Sequence, residues 1–365
     1  MARPRHRRDE VIKTKCNSEM RAFDVVIIGG GPAGSVCGSL LKKAGKTCLL
    51  VDYATFPREK ICGGGMTSKA WRLLEKLLPD FKYEYFAQHH VRVSLNGKEK
   101  CEFDFEQELR IVQRRQFDYQ LLQHYQSLGG EFQKNSFRTI DEQPDGRLVV
   151  TLTSGEQVIC RYLVGADGSN SRVRRFLTGK NDRGPLVVEQ YTPKDTYNDS
   201  GCIVADLCYC YKDFGYFYCF PNAKYNVIGY GDYTMTIEKF RQVLRDRQIP
   251  EGKFRGAYIS LSTDYPLHDH IILIGDAGGF ANRLTCEGIY DAFQTAYNAT
   301  RAIVDERPFR ETNSKVFAKL KWQARLYNFF SSSLGFRLLQ VMFRSPGLIK
   351  WCINTKMNRE SFIKV

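Results

Sequence analysis

The fold is decided by residues 23–52, which read FDVVIIGGGPAGSVCGSLLKKAGKTCLLVD. The apolar run Asp24–Ile28 predicts a buried strand, and glycines with the spacing Gly-x-Gly-x-x-Gly follow it. A helix ending near Gly45 and a second strand, Thr47–Val51, are expected next. In such a unit the glycines let the backbone approach a pyrophosphate at the helix N-terminus, and an acid after the second strand can hold ribose hydroxyls. We therefore predict a Rossmann-like α/β domain that binds a dinucleotide through Gly29, Gly31, Ala33, Gly34 and Asp52.

Two later segments repeat part of this layout. In RYLVGADGSNSRVRRFL (161–177), the strand Tyr162–Val164 leads to Asp167 and then to a helix. In HIILIGDAGG (270–279), a strand ends before Asp276, which is placed to accept hydrogen bonds from hydroxyls of an extended ligand. A helix that starts near Gly288 would favour negative charge at its N-terminus. Taken alone, the second segment is an ordinary strand–turn–helix junction.

The three segments, in this order, resemble the FAD-dependent aromatic hydroxylase superfamily and, within it, the geranylgeranyl reductase family. The family's CGGG segment resembles KICGGGMTSKAW (60–71), and its VxRxxFD segment resembles VQRRQFD (112–118). Its GDAAGFxxPxxGEGI segment resembles GDAGGFANRLTCEGI (275–289), and its YxWxFPK motif resembles YFYCFPN (216–222). The resemblance extends from about residue 23 to about residue 303.

Four positions depart from the family pattern. Tyr218 replaces Trp, Asn222 replaces Lys, Arg283 replaces Pro and Cys286 replaces Gly. The first two lie on the expected substrate face, so they leave the identity of the substrate open. They do not affect the expectation of FAD.

The resemblance implies an oxidoreductase in which reduced FAD transfers a hydride to an isoprenoid double bond. Only one dinucleotide fingerprint is present and FAD takes it, so the reductant would be NAD(P)H that binds transiently or a protein electron carrier. The implied FAD contacts are Lys60, Cys62, Gly63, Gly64, Arg114, Asp167, Asp276, Gly278, Gly279, Gly288 and Ile289, and the implied contacts of the prenyl substrate are Tyr216, Tyr218 and Phe220.

Two other functions remain open on the same scaffold. One is a flavin-dependent monooxygenase of hydroxylase or halogenase type, although the halogenase WxWxIP stretch is not seen. The other is a non-catalytic flavin-bound protein that associates with a membrane or a partner.

Cys62 precedes three glycines, whose missing side chains would let a flat flavin ring rest against the backbone. Its thiol could orient the flavin, or donate a proton to the substrate carbon that does not receive hydride. It could equally be an inert thiol that packs the pocket. Arg114 is either an FAD-approaching residue or a surface arginine. Lys60 and Arg58 either neutralise a pyrophosphate or a substrate diphosphate, or are solvated loop charges.

Strand-like alternation predicts an antiparallel sheet inserted into the dinucleotide-binding domain. Its aromatic residues suit one wall of an elongated apolar cavity, or ordinary β-sheet packing. They are Tyr209, Tyr211, Phe214, Tyr216, Phe217, Tyr218 and Phe220. The expected domains are a basic tail (1–22), an FAD-binding domain (23–85, 110–184 and 256–310), a β substrate domain (86–109 and 185–255) and a basic helical C-terminal region (311–365).

The 365 residues carry a net charge of +14, and residues 315–365 alone contain ten basic residues and one acidic residue. This asymmetry favours an anionic partner for that end of the chain. Because no nucleic-acid-binding signature is seen, an anionic membrane surface is the favoured partner. The region is expected either to dock on the FAD domain or to insert Phe329, Phe330, Phe336 and Phe343 into a leaflet.

The remaining features favour a cytoplasmic protein that can bind a membrane peripherally. No apolar run reaches the roughly 18 residues that span a bilayer. Residues 1–24 lack the apolar segment of a secretory signal, and translation could start at Met1 or Met20. The twelve cysteines contain no CxxC pair, so reduced thiols without a metal site are expected.

Overall fold

The computed structural model describes residues 20–180, 184–197, 201–210 and 213–358. Most of the predicted basic tail lies outside these residues, as do Tyr211 and residues 359–365. The strands of the described chain are β1 (Arg21–Ile28), β2 (Cys48–Asp52), β3 (Gly65–Met66), β4 (Phe86–Leu95), β5 (Glu99–Ile111), β6 (Glu131–Lys134), β7 (Phe137–Glu142), β8 (Leu148–Leu152), β9 (Gln157–Gly165), β10 (Leu186–Pro193), β11 (Ile203–Cys210), β12 (Asp213–Pro221), β13 (Tyr225–Asp232), β14 (Phe254–Tyr258) and β15 (Ile271–Leu273).

The helices pack on both sheets. They are α1 (Pro32–Lys43), α2 (Ser68–Leu77), α3 (Arg114–Ser127), α4 (Arg172–Thr178), α5 (Ile237–Asp246), α6 (Ile289–Val304), α7 (Phe309–Thr312), α8 (Ser314–Phe330), α9 (Ser333–Phe343) and α10 (Pro346–Asn358).

The first sheet has the order β6-β2-β1-β9-β8-β7, and β15 also pairs with β9. Strands β6, β2, β1, β9 and β15 are parallel, whereas β8 and β7 continue the sheet in antiparallel fashion. Because β1, β9 and β15 are adjacent and parallel, their carboxyl ends lie at one edge of the sheet. The three sequence segments that end these strands are therefore brought together there.

The second sheet has the order β14-β10-β13-β12-β11-β4-β5-β3. All its pairs are antiparallel except β11 with β4. Helices α9 and α10 pack against β4 and β5, and Phe343 and Ile349 are buried in that core. The fold class, an α/β FAD-binding fold with a β-sheet domain and a helical C-terminus, is confirmed.

Several boundaries differ from those the sequence predicts, and long-range contacts explain them. β1 begins at Arg21 because Arg21 pairs with β9 and its guanidinium bonds Glu131 and Glu156. Helix α5, which was not predicted, buries Phe240 and Leu244 beside the second sheet. Residues 65–66, assigned from sequence to the FAD-binding domain, pair with β5 of the second sheet.

Candidate functional site

A single continuous cavity of about 1230 Å³ joins the two halves of the molecule. Its wall begins at the glycine turn after β1, passes the end of β15, and continues along the second sheet beneath α8, α9 and α10. At the far end the lining is mostly apolar. It includes Val91, Val93, Phe105, Leu109, Phe330, Leu339, Met342, Phe343, Ile349 and Ile353.

The turn after β1 has the local geometry that a pyrophosphate needs. Gly31 precedes α1, no side chain caps that helix, and no acidic residue lies in its first turn. A Cβ atom at Gly31 would meet only the Nη2 atom of Arg58, at 3.3 Å, so the space beside it is open to the cavity. Uncapped helix N–H groups facing open space attract an anion. The residues present therefore fit the diphosphate of a dinucleotide.

Gly29 and Gly34 have a different role from Gly31. Gly29 has φ +112°, and a Cβ at Gly34 would lie 1.9 Å from the carbonyl oxygen of Gly29. Gly34 therefore allows α1 to pack directly on the end of β1, and it does not line the cavity. Of the predicted residues in this motif, Gly29, Gly31, Ala33 and Asp52 line it.

Asp52 is held by the backbone around it. Its Oδ2 accepts from Gly30 N at 2.7 Å, and its Oδ1 accepts from Ala54 N at 2.8 Å. Each carboxylate oxygen can accept more than one hydrogen bond. Because Asp52 lines the cavity, its carboxylate can still accept hydrogen bonds from ligand hydroxyls.

Asp167 lines the cavity but also has a clear structural function. Its carboxylate accepts from the Ser171 hydroxyl at 2.5 Å and from the Arg172 backbone N–H at 2.7 Å, which fixes the start of α4. Burial raises the pKa of Asp167, although these hydrogen bonds oppose the shift. The sequence predicts an FAD contact here and does not reveal the capping role.

Asp276 and Gly288 lie against each other in the cavity wall. A Cβ at Gly288 would be only 3.1 Å from Asp276 Oδ1, so glycine permits this approach. Ile289 lines the cavity as well. Gly278 and Gly279 do not: a Cβ at Gly278 would strike the Phe280 ring, and one at Gly279 would strike Ser262. These two glycines therefore serve packing in this structure, and a contact with FAD stays a prediction.

Two of the three glycines after Cys62 are explained by protein packing. A Cβ at Gly63 would lie 2.2 Å from the Phe220 ring, and Gly64 has φ +74° with its Cβ position 2.1 Å from Val112 O. The space beside Gly63, predicted to hold a flavin ring, is filled by Phe220. All three glycines still line the cavity through their backbone.

Cys62 lies beside a buried arginine. Arg114 forms two hydrogen bonds to Asp118, at 2.8 and 2.9 Å, so it is not a surface arginine. Burial by itself would lower the pKa of Arg114. The effects of Asp118 and of the Cys62 thiol are larger, so the pKa of Arg114 is raised. Arg58 also reaches Asp118, with 3.3 Å between Nη2 and Oδ2. Both arginines, Cys62 and Lys60 line the cavity.

Glu189 of β10 is a site residue that sequence reasoning missed. Its Oε1 accepts from Cys62 N at 2.9 Å, and its Oε2 accepts from the Tyr218 hydroxyl at 2.8 Å. Glu189 is 4% exposed, and burial raises its pKa. A lone acid within the strand LVVEQYTP was the available signal, but its partners come from distant segments.

The aromatic residues of β12 form a ladder along the cavity. The ring centroids of Tyr216 and Tyr218 are 5.8 Å apart, and those of Tyr218 and Phe220 are 5.1 Å apart. All three line the cavity. Alternate residues of a strand face the same side, which is why this period-2 set forms one wall.

Comparisons with known proteins agree with this geometry. The family description "FAD binding domain" matches residues 22–185. A menaquinone reductase of Mycobacterium tuberculosis is 29% identical over 317 residues, covering 78% of this chain and 77% of that protein.

Two solved structures show the same fold. A geranylgeranyl bacteriochlorophyll reductase-like protein of Thermoplasma acidophilum has a TM-score of 0.67 at 18% identity, covering 94% of this chain and 89% of its own. A mutant of the halogenase PltM in complex with FAD has a TM-score of 0.69 at 16% identity, covering 89% and 78%. Residues 22–185 therefore match an FAD-binding domain, the cofactor is FAD, and the whole chain shares the fold of these two solved structures.

Proposed function

We propose that this protein reduces double bonds in the prenyl chain of a lipid. The observation that carries the proposal is the continuity of the cavity, which joins an FAD-binding turn to a long apolar chamber. Apolar walls on both the sheet side and the helix side suit a flexible hydrocarbon chain, which gains about 0.8 kcal/mol for each CH₂ group removed from water. The menaquinone reductase that resembles this chain is named for a substrate that carries such a prenyl chain.

Saturation of a carbon–carbon double bond needs a hydride and a proton. When bound, FAD that has received electrons from NAD(P)H or a protein carrier would supply the hydride. The chain's own residues bind the cofactor through the turn after β1, exclude water with the aromatic ladder, and hold a proton at Cys62 Sγ. Cys62 lines the cavity, and Arg114 beside it would stabilise the thiolate left after the proton is given.

The lipid would enter from a membrane at the face formed by α8, α9 and α10. Trp322 and Trp351 are 60% and 64% exposed, and both also line the cavity, so the cavity opens between α8 and α10. Large apolar side chains around this opening are also exposed: Phe329, Leu334, Leu338, Val341 and Leu348. Arg325 and Arg337 are exposed on the same helices, and Arg344 is exposed directly after α9. Apolar anchors beside cations are typical of interfacial helices.

The residues at this surface differ from those expected from sequence. Phe343 is buried, and Phe330 and Phe336 pack against the core beneath, so of the four predicted phenylalanines only Phe329 is exposed, at 41%. The ring of Phe336 stacks on Tyr209 at 4.0 Å. No helix among the described residues is long and apolar enough to cross a bilayer.

The proposal is tested by reducing the purified holoprotein anaerobically and mixing it with polyprenyl compounds. We expect the flavin absorbance to return as the lipid is consumed, with a product heavier by two hydrogen atoms for each saturated bond. Reoxidation by oxygen with a hydroxylated or halogenated product would instead support the monooxygenase or halogenase alternative. A flavin that reacts with no prenyl compound would refute the reductase.

A further inference from the structure

A second cavity, of about 260 Å³, adjoins the main cavity at the segment that carries Cys62. Five residues line both cavities: Glu59, Lys60, Cys62, Gly63 and Arg114. The rest of its wall comes from the end of β5, the start of α3, β10, and the turn between β12 and β13 with the strand that follows. These residues are Ile111, Val112, Gln113, Arg115, Tyr191, Asn222, Tyr225 and Val227. The two cavities therefore share a wall at Cys62.

The second cavity is polar and opens to solvent. The side chains of Glu59 and Arg115 are 43% and 61% exposed, and Tyr191 is exposed beside them, so its rim lies at the surface. A polar cavity needs only roughly 10–15 Å³ of such space to hold one water molecule, so this one can hold several. Its lining differs from the far end of the main cavity, which is mostly apolar.

Hydrogen bonds fix Cys62 in the shared wall. Its backbone N–H donates to Glu189 Oε1 at 2.9 Å, and the backbone N–H of Gly64 donates to Cys62 Sγ at 3.4 Å. Arg114, which also lines both cavities, is held on the other side by its two hydrogen bonds to Asp118. The position of the thiol relative to both cavities is therefore set by the fold.

A thiol that donates a proton must recover one before the next turnover. In the proposed reaction, Cys62 is left as a thiolate after it protonates the substrate carbon. The main cavity then holds the prenyl chain, and the aromatic ladder excludes water from it. A proton has to reach the sulfur by another route.

We propose that the second cavity is the proton inlet of Cys62. A chain of water molecules from the surface at Glu59 and Arg115 would return a proton to the thiolate between turnovers. In this step an O–H bond of water breaks and an S–H bond forms, and the hydroxide is carried away along the water chain to bulk solvent. The inference rests on the proposed function for the role of Cys62 as a proton donor, whereas the solvent route to Cys62 does not depend on it.

Alkylation of Cys62 tests the route without any turnover. Trypsin would release Cys62 in the peptide ICGGGMTSK (61–69), in which it is the sole cysteine. The oxidised holoprotein is treated with iodoacetamide while geranylgeraniol is present in excess, and the mass of this peptide is followed. We expect Cys62 to be alkylated with the lipid present, because a small polar reagent can enter through the second cavity. Complete protection of Cys62 by the lipid would overturn the proposal.

Two variants at one position sharpen this test. Val227 lines the second cavity and does not line the main one. Val227→Phe places a ring in the inlet and should slow alkylation at least about tenfold, because the reagent must then wait for a local opening of the protein. Val227→Ala is the matched control: it leaves the inlet open, so Cys62 should react at least as fast as in the parent protein. Equal rates in Val227→Phe and the parent would refute the inlet.

The kinetics of the variant give a second readout. The proton used in the first turnover is already on Cys62, so Val227→Phe should reduce prenyl substrate at the parental rate in a single turnover. Its rate over many turnovers should fall, because each later proton must enter through the filled cavity. A first turnover slowed as much as the later ones would show that Val227→Phe displaces Cys62, and would count against the inlet.

The outcomes separate this inference from the proposed function. Alkylation that depends on Val227, in a protein that reduces no prenyl compound, would leave the solvent route to Cys62 standing and refute the reductase. Reduction that continues over many turnovers at the parental rate in Val227→Phe would refute the inlet and leave the reductase standing.

Discussion

Replacing Gly31 by Ala should weaken FAD binding strongly without destabilising the apoprotein. Gly31 has φ −77° and ψ −174°, a conformation that alanine adopts freely, and its Cβ would meet only the flexible end of Arg58 at 3.3 Å. Less backbone freedom in the unfolded chain could even stabilise the apoprotein, by about 0.4–1 kcal/mol. The added methyl group would instead occupy the space through which a diphosphate reaches the N-terminus of α1.

The size of the effect on binding follows from the lost hydrogen bonds. Hydrogen bonds to a charged group are worth about 1.5–3 kcal/mol each, so losing two should weaken FAD binding by about 100-fold or more. FAD at 100 times its dissociation constant stabilises a protein by about 2.7 kcal/mol. The variant should lose that stabilisation.

Gly34→Ala is the matched comparison. Its Cβ would lie 1.9 Å from the backbone oxygen of Gly29, where no side chain can move aside. Overpacking of this kind costs about 1–3 kcal/mol, so the apoprotein itself should unfold more easily. Both variants should be colourless, but only Gly34→Ala should have a lower free energy of unfolding without FAD, measured by urea titration. A Gly31→Ala protein that binds FAD normally, or whose apoprotein is destabilised, would refute the reasoning.

Three further predictions concern Cys62, Glu189 and the exposed arginines of the C-terminal helices. Cys62→Ala should retain FAD but slow the saturation of prenyl substrate in single-turnover experiments, because a proton donor is lost; unchanged rates would assign Cys62 to packing. Burial raises the pKa of Glu189, so between the ordinary glutamate pKa and the raised pKa the folded protein holds a proton that the unfolded chain has lost. The free energy of unfolding should therefore fall as pH rises through this range. Glu189→Gln should remove this slope in pH-dependent urea unfolding, and an unaltered slope would show that another group causes it. Replacing Arg325, Arg337 and Arg344 by Gln should weaken flotation with anionic vesicles by about 1 kcal/mol per charge at low salt; undiminished flotation would place the membrane contact elsewhere.

The sequence by itself determined the dinucleotide-binding half of this protein. Residues 23–52 contain a strand, a glycine turn, a helix and a second strand in direct succession, so their contacts are local. The positions of Gly29, Gly31 and Asp52 in the cavity wall follow from that short unit. The fold class and FAD could be predicted for the same reason.

Only the tertiary structure decided the roles of residues whose partners are distant in sequence. Gly63 is a glycine because Phe220 packs on it, and Glu189 bonds both Cys62 and Tyr218. Residue types alone could not show these pairs, because the residues come together only when the second sheet has formed.

The same holds for the C-terminal region. Its apolar spacing predicted helices, but not which aromatic residues would be buried: Phe343 enters the core, whereas Trp322 and Trp351 stay exposed at the opening of the cavity. The excess of basic residues was visible in sequence as a surface charge. The packing of α8 beside α6, and of α10 against α2 and β5, turned two of these lysines, Lys319 and Lys356, toward the cavity. A helix has two faces, and only its neighbours decide which face lines a cavity.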